Sequence, residues 1–108
     1  MVDKYNKLVR DKIPELIMQK DNFSKTELLD DVNYFSALNK KLTEEVSEYL
    51  ENYNIEELAD IVEVIYAIVK FKGINLSEFE DLRLKKYNER GGFDCRISLI
   101  EVERSSSK

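Results

Sequence analysis

The chain has 108 residues, of which 43% are hydrophobic and 36% are charged, and its formal net charge is −5. This length suits one domain with a modest core and leaves no room for a second catalytic domain. The negative charge argues against binding to nucleic acid backbones, and the absence of histidine removes Ser-His-Asp catalysis and most zinc sites.

Turn-forming residues are scarce, with three glycines and one proline in the chain. Long helices joined by short loops are therefore favoured over a many-stranded sheet, and we predict an all-α fold. The single cysteine, Cys95, allows no intramolecular disulfide, and the chain shows neither a signal-peptide core nor a run of about 20 apolar residues. We expect a cytoplasmic protein that binds neither nucleic acid nor membrane.

The first predicted helix is short and follows a polar arm, residues 1–9. It runs through Ile13 to about Lys20 and tolerates Pro14 because proline fits the first turn of a helix. Over residues 21–31 the spacing of apolar residues no longer fits a helix. Within this segment, residues 26–29 weakly favour a short extended piece.

A long amphipathic helix is predicted from Val32 to about Asn52, with Asp31 as its N-cap. Its apolar stripe consists of Val32, Phe35, Leu38, Leu42, Val46 and Leu50. Asn54, followed three residues later by Glu57, resembles a capping box and predicts the start of a third helix. That helix runs to Lys72 and stops at Gly73.

A fourth helix is predicted to start after Asn75 or Ser77 and to reach about Arg90, where a pair of glycines ends it. From Phe93 onward the apolar residues predict a short, strand-like tail. These residues are Ile97, Leu99, Ile100 and Val102. We expect one domain over residues 1–104, followed by a disordered end at residues 105–108.

Carboxylates are concentrated on the second and third predicted helices. Glu45 and Glu48 are three positions apart and share a helix face. In the third helix, which is apolar nearly all round, Glu57, Asp60 and Glu63 lie along one stripe. Either set alone is also explained by a solvated helix face, but buried ionised carboxylates usually sit against cations or metals.

An antiparallel hairpin turning near residue 53 places the two sets at the same height, because level positions then have numbers that add to about 106. Glu45 and Glu48 are thereby level with Asp60 and Glu57. Like charges at that density favour a hard divalent cation, and we predict Mg²⁺, with Mn²⁺ as a substitute. Glu44 points about 100° away from Glu45, which places it outside the main ligand set.

The pattern of Glu44, Glu45 and Glu48 followed by Glu57 and Asp60 resembles the signature of the all-α nucleoside triphosphate pyrophosphohydrolase superfamily. That superfamily includes MazG proteins, dimeric dUTPases, dCTP pyrophosphatases and phosphoribosyl-ATP pyrophosphohydrolases. The resemblance implies that Glu45, Glu48, Glu57 and Asp60 are the metal ligands.

Two further segments, one near each end of the chain, also resemble members of this superfamily. The opening YNKLVRDKIP, residues 5–14, and the closing RGGF, residues 90–93, are similar to those of short phosphoribosyl-ATP pyrophosphohydrolase-like proteins. The eight residues between Glu48 and Glu57 are fewer than in many members, which predicts a tight loop between the helices. The implied fold is a four-helix, MazG-like bundle.

The activity that the resemblance implies is cleavage between the α and β phosphates of a nucleotide, which releases a nucleoside monophosphate and pyrophosphate. The cation would neutralise phosphate charge and lower the pKa of a water molecule, whose proton Glu45 or Glu48 would accept. Lys86 and Arg90, four positions apart, resemble the lysine and arginine with which MazG proteins hold the triphosphate tail. Without the resemblance, a basic helix end that offsets the macrodipole is the favoured explanation of the pair.

The N-terminal arm offers a further set of basic residues, Lys7, Arg10 and Lys12, as a phosphate or subunit contact. The third helix has more apolar surface than a chain of this size can cover, so we expect a homodimer or a larger homo-oligomer. The resemblance implies the same.

Three functions compete at this point. The first is a Mg²⁺-dependent pyrophosphohydrolase that acts on an NTP or dNTP, and the second is the phosphoribosyl-ATP pyrophosphohydrolase of histidine biosynthesis. The third is a non-catalytic helical dimer that binds nucleotide or metal. Release of pyrophosphate from a nucleotide panel separates the enzymes from the binding module.

Overall fold

The computed structural model describes residues 1–106 and contains four helices. They are α1 (Ile13–Gln19), α2 (Asp31–Asn52), α3 (Ile55–Phe71) and α4 (Leu76–Arg90). Residues 1–106 contain no β-strand, so the predicted all-α class is confirmed. The last two residues of the tail that was predicted to be disordered, 107–108, lie outside the described residues.

The chain divides into two units, Met1–Leu76 and Ser77–Lys108. The first unit holds the N-terminal arm and the helices α1, α2 and α3, and the second holds nearly all of α4 and the C-terminal tail. None of the helices within residues 1–106 combines the length and the apolar composition needed to cross a bilayer.

The start of α2 lies one residue earlier than the sequence pattern predicted. Asp30, in extended conformation, is the N-cap, and its carboxylate accepts a hydrogen bond from the backbone N–H of Asn33 at 2.9 Å. Asp31 is already helical, so its assignment as the cap was wrong. Both aspartates have a suitable side chain, and only the extended backbone at the first of them points the carboxylate at the free N–H groups of the helix.

Two residues join α2 to α3, and they form the tight loop that the spacing predicted. Tyr53 adopts the left-handed conformation (φ 57°, ψ 25°), and its N–H donates to the carbonyl of Tyr49 at 2.7 Å. Asn54 caps α3 as predicted, but its side chain makes no capping hydrogen bond. The capping box was therefore wrong, because the carboxylate of Glu57 lies among other acids instead of reaching back to Asn54.

α2 and α3 pack against each other as an antiparallel hairpin. At its open end, the ring of Phe71 lies 5.6 Å from that of Tyr34, edge to face, and 5.2 Å from that of Phe35, stacked. These rings come from the first two turns of α2 and the last residue of α3. Positions at equal distance from the loop are therefore level along the whole hairpin, as the sequence predicted.

Glycine ends α3 at the predicted position. Gly73 has φ 80°, and its N–H donates to the carbonyl of Lys70, while the N–H of Ile74 donates to that of Val69. This pair of hydrogen bonds is the Schellman motif, which satisfies carbonyls that the helix leaves free. α4 then starts directly after Asn75, one of the two predicted positions.

The tail after α4 does not form the strand that its apolar residues predicted. Residues 97–106 contain neither helix nor strand, and residues 26–29, which had weak extended character, contain none either. A strand requires a partner whose backbone completes the ladder of hydrogen bonds. A favourable pattern of side chains is therefore insufficient to produce a strand in either segment.

Few residues of the described part of the chain, 1–106, are buried. The buried hydrophobic residues there are Leu38, Val64 and Val69, and the buried charged residue is Glu45. Large apolar residues of the hairpin stay exposed, including Leu50 at 59% and Ile55 at 77%. The hairpin therefore presents exposed apolar side chains on both of its helices.

Candidate metal centre

The carboxylates of the hairpin form two overlapping groups. Glu45, Glu57 and Asp60 each place one oxygen within 4.8 Å of the others, across the space between α2 and α3. Glu44, Glu45 and Glu48 do the same along α2. Glu45 belongs to both groups, so it joins them into one acidic cluster of five side chains.

The hairpin explains why these residues meet. Glu45 and Glu48 share a face of α2, and the two-residue loop places Asp60 and Glu57 at their height on α3. The four predicted ligands do not form a single group, since Glu48 is grouped with Glu44 and Glu45 rather than with the acids of α3. Glu44 was predicted to point away from Glu45, yet it places a carboxylate oxygen within 4.8 Å of oxygens of Glu45 and Glu48.

Glu45 is the most unusual residue of the acidic cluster because it is almost fully covered, with 7% of the residue exposed. Burial raises its pKa above the ordinary value of 4.5, repulsion from Glu48 and Asp60 acts in the same direction, and Lys41 opposes both. The pKa of Glu57 is raised as well, first by loss of solvation and then by Glu48 and Asp60. The cluster is thus short of positive charge for the number of carboxylates that it holds.

Lys41 supplies part of that charge, and sequence reasoning missed it. Its Nζ lies 3.0 Å from Oε1 of Glu44 and 3.5 Å from Oε1 of Glu45. Burial works against the charge on Lys41, yet its pKa is raised because hydrogen bonds and attraction from both glutamates outweigh that cost. The hydrogen bond from Lys41 in turn lowers the pKa of Glu44. The sequence did contain a signal for this contact. Lys41 precedes Glu44 by three positions and Glu45 by four, and residues at these spacings are neighbours on a helix.

The N-terminal arm, which in the structure comprises residues 1–12 before α1, supplies further positive charge. Arg10 donates a hydrogen bond from Nη2 to Oδ1 of Asp60 at 2.6 Å, and Nζ of Lys7 lies 3.7 Å from Oε2 of Glu44. The sequence marked both residues as basic contacts of the arm. Their carboxylate partners were not predicted, because the arm has no regular period from which a position in space follows.

The chemistry of the acidic cluster fits a hard divalent cation. Every potential ligand atom in both groups is a carboxylate oxygen, and the oxygens lie close enough to share one ion. Oxygen-only ligands favour Mg²⁺, Ca²⁺ or Mn²⁺ over zinc or copper, which prefer nitrogen and sulfur. The acidic cluster could therefore hold a metal ion.

Lys86 and Arg90, predicted to bind phosphate, lie on α4 in the second unit, and both are exposed. They are four positions apart on one helix, so they share a face as the sequence indicated. Their assignment to a triphosphate tail stays a prediction.

Comparison of the chain with protein-family profiles, with curated proteins and with solved structures found no match. The resemblance to the all-α pyrophosphohydrolases therefore stays a prediction that depends on the residues quoted above.

Proposed function

We propose that the protein is a Mg²⁺-dependent nucleotide pyrophosphohydrolase with a MazG-like helical bundle, which cleaves an NTP or dNTP between the α and β phosphates. The observation that carries the proposal is the convergence of Glu45, Glu57 and Asp60 across the hairpin. A fold that buries Glu45 next to other acids spends stability on negative charge, which is typical of functional sites.

The residues take distinct roles in this proposal. Glu45, Glu57 and Asp60, together with Glu48, hold the cation through carboxylate oxygens. The cation would supply neutralisation of the phosphate charge and acidify a water molecule. Glu48 would accept a proton from the attacking water, and Glu45 is the alternative base. Mn²⁺, which also accepts oxygen ligands, is expected to replace Mg²⁺.

The triphosphate tail requires cationic contacts besides the metal. Lys86 and Arg90 are proposed for this role because a four-residue spacing on α4 presents two positive charges on one face. An arginine can contact two phosphate oxygens at once, whereas a lysine provides a point charge.

A homodimer is part of the proposal. Its support is the small number of buried apolar side chains, together with the exposed apolar residues of α2 and α3. Exposed surface of this kind is usually covered by a partner, and closed dimers are the most common homo-oligomers.

One alternative from another class is supported by a specific observation. Lys41, Arg10 and Lys7 already pair with carboxylates of the acidic cluster, as expected for a module that binds metal or nucleotide without turnover. Phosphoribosyl-ATP pyrophosphohydrolase is the alternative within the enzyme class, and its support is the resemblance of residues 5–14.

The experiment that tests the proposal measures pyrophosphate release from a panel of NTPs, dNTPs and phosphoribosyl-ATP in the presence of Mg²⁺. Replacement of Glu48 by Gln or of Asp60 by Asn is expected to lower the rate by about 100-fold or more, because the base or a ligand is lost. Glu63→Gln is the matched control, since Glu63 lies on α3 outside both carboxylate groups.

The outcomes separate the three functions. Turnover of phosphoribosyl-ATP far above every NTP would favour the histidine pathway. Metal binding without hydrolysis of any nucleotide would favour the binding module. Unchanged Mg²⁺ affinity in both acid variants would show that the metal centre is wrongly drawn.

A further inference from the structure

Arg10 ties the N-terminal arm to the acidic cluster over a separation of fifty positions in the sequence. The distance of 2.6 Å between its Nη2 and Oδ1 of Asp60 is short, as in other charge-assisted hydrogen bonds. Lys7 of the same arm lies beside Glu44, 3.7 Å between charged atoms. The arm therefore contributes positive charge to both carboxylate groups.

Asp60 has a conflicting role in this arrangement. Its carboxylate is one of three that converge between α2 and α3, and the same carboxylate already pairs with a guanidinium. A divalent cation among these oxygens would sit within a few ångströms of the positive charge of Arg10 and repel it. Binding of the cation and the pairing of Arg10 with Asp60 therefore oppose each other.

The pair lies at the surface, which makes it easy to separate. The side chain of Arg10 is 56% exposed and that of Asp60 is 41% exposed. Ion pairs exposed to this degree typically shift an equilibrium by about fivefold or less. Arg10 precedes α1, and residues 1–10 contain neither helix nor strand, so the guanidinium can leave without breaking a helix.

We propose that Arg10 exchanges partners: it neutralises Asp60 before the divalent cation binds, is displaced by the cation, and then binds a phosphate group of the substrate. The identity of the second partner rests on the proposed function, since a nucleotide brings phosphates to the acidic cluster. The planar guanidinium suits both partners because carboxylate and phosphate each offer two oxygens to its paired N–H groups.

The first test is Mg²⁺ affinity, measured by isothermal titration calorimetry on the full chain without nucleotide. Arg10→Gln is expected to bind Mg²⁺ about fivefold more tightly than the wild type, because the competing charge is gone. Lys4→Gln is the control, because it removes one positive charge from the same arm and Lys4 makes no ion pair within residues 1–106. It is expected to leave the Mg²⁺ affinity unchanged. Equal or weaker binding by Arg10→Gln would overturn the proposal.

The second test follows the guanidinium directly by NMR. The Nε–Hε signal of Arg10 is assigned by its loss in Arg10→Gln and is then followed as Mg²⁺ is added to the wild type. We expect it to move towards the position of a free arginine as the site fills. A signal that stays in place at saturating Mg²⁺ would show that Arg10 remains on Asp60 and would contradict the exchange. Arg10→Lys, which keeps the charge, should show near wild-type Mg²⁺ affinity.

The third test uses inorganic pyrophosphate as the probe, in the presence of saturating Mg²⁺. Arg10→Gln is expected to bind it about tenfold more weakly, the opposite sign from its effect on Mg²⁺, while Lys4→Gln behaves as the wild type. Wild-type affinity in Arg10→Gln would overturn the phosphate contact. If the wild type itself fails to bind pyrophosphate, the proposed function and the phosphate contact fail together, while the first two tests still decide the exchange at Asp60.

Discussion

Glu45 combines two properties that rarely occur together in a surface helix. It is nearly inaccessible to solvent, and it belongs to both carboxylate groups. Lys41 is within reach of it, but Glu44 takes the shorter contact with that lysine, at 3.0 Å against 3.5 Å. Glu45 therefore stays under-neutralised, and its ionised form is costly to the folded protein without a cation.

Replacing Glu45 by Gln is expected to stabilise the metal-free protein at neutral pH by about 0.5–1 kcal/mol, since the buried charge disappears while the shape is kept. Urea unfolding in a metal chelator measures this. A variant less stable than the wild type under these conditions would show that Lys41 fully compensates the charge.

The same residue sets a pH dependence. Because the pKa of Glu45 is raised in the fold, the folded protein binds more protons than the unfolded chain at pH values just above 4.5. The contribution of Glu45 to the unfolding free energy of the metal-free protein is therefore expected to fall as pH rises through that window. Glu45→Gln should lose this part of the dependence. Identical pH profiles for the two proteins would contradict the assignment.

Addition of Mg²⁺ should make the wild type more stable than Glu45→Gln, the reverse of the order expected without metal. At about one hundred times its Kd, a ligand that binds the folded state alone stabilises it by about 2.7 kcal/mol. We expect the wild type and Glu63→Gln to gain this amount on addition of Mg²⁺, and Glu45→Gln and Asp60→Asn to gain little. Thermal melts with and without Mg²⁺ provide the measurement. An equal gain in all four proteins would place the cation elsewhere.

The hairpin is closed at its far end by three aromatic rings. Phe71 contacts both Tyr34 and Phe35, so its truncation removes the contacts that keep the ends of α2 and α3 together. Phe71→Ala is expected to cost about 2–3 kcal/mol in unfolding free energy, and Phe71→Leu clearly less because most of the volume is retained. Urea unfolding monitored by circular dichroism measures both. A small cost in both variants would mean that packing at this end contributes little.

The cap of α3 depends on a single backbone conformation. Gly73 has φ 80°, and a Cβ there would meet nothing within 4 Å, so the cost of a side chain is purely conformational. Gly73→Ala is expected to destabilise the protein by about 1 kcal/mol, and Gly73→Asn by less, because asparagine tolerates the left-handed region. Chemical denaturation of the two variants tests the order.

At the scale of the helices, features that follow from the spacing of apolar residues or from a glycine were predictable. The apolar spacing gave α2 and α3, Gly73 gave the end of α3, and a short loop placed Glu45 level with Asp60. The arm has no period, so the pairing of Arg10 with Asp60 could not be predicted. The residue types also do not decide which of Asp30 and Asp31 caps α2, because that depends on the backbone angles. Nor do they decide whether Glu57 caps α3 or joins the acidic cluster, because that depends on its neighbours in space.

At the scale of the whole molecule, the apolar surface of the hairpin is the dominant feature. On α3 the exposed residues Leu58, Val62 and Tyr66 follow each other at intervals of four positions, and so form one continuous stripe. Val46 and Leu50 on α2 show the same spacing and are also exposed. Stripes of this kind resemble the faces through which helices of different subunits pack.

Light scattering is therefore expected to report a dimer or a larger assembly for the wild type. Val62→Glu, which places a charge in the stripe on α3, should shift the equilibrium towards monomer by an order of magnitude or more in Kd, since an unpaired charge would be buried. Lys70→Gln makes the same change in net charge on that helix and should leave the assembly intact. A wild-type monomer would overturn the proposed dimer.

The loop at Tyr53 and Asn54 has a consequence for how the sequence can change. A two-residue loop holds the ends of α2 and α3 together and allows the helices little sliding, so it helps to keep Asp60 level with Glu45. A longer loop would leave that alignment to the packing between the two helix faces. In a designed library of this chain, the identity of the loop residues should therefore be freer than that of the acids, provided that position 53 accepts the left-handed conformation.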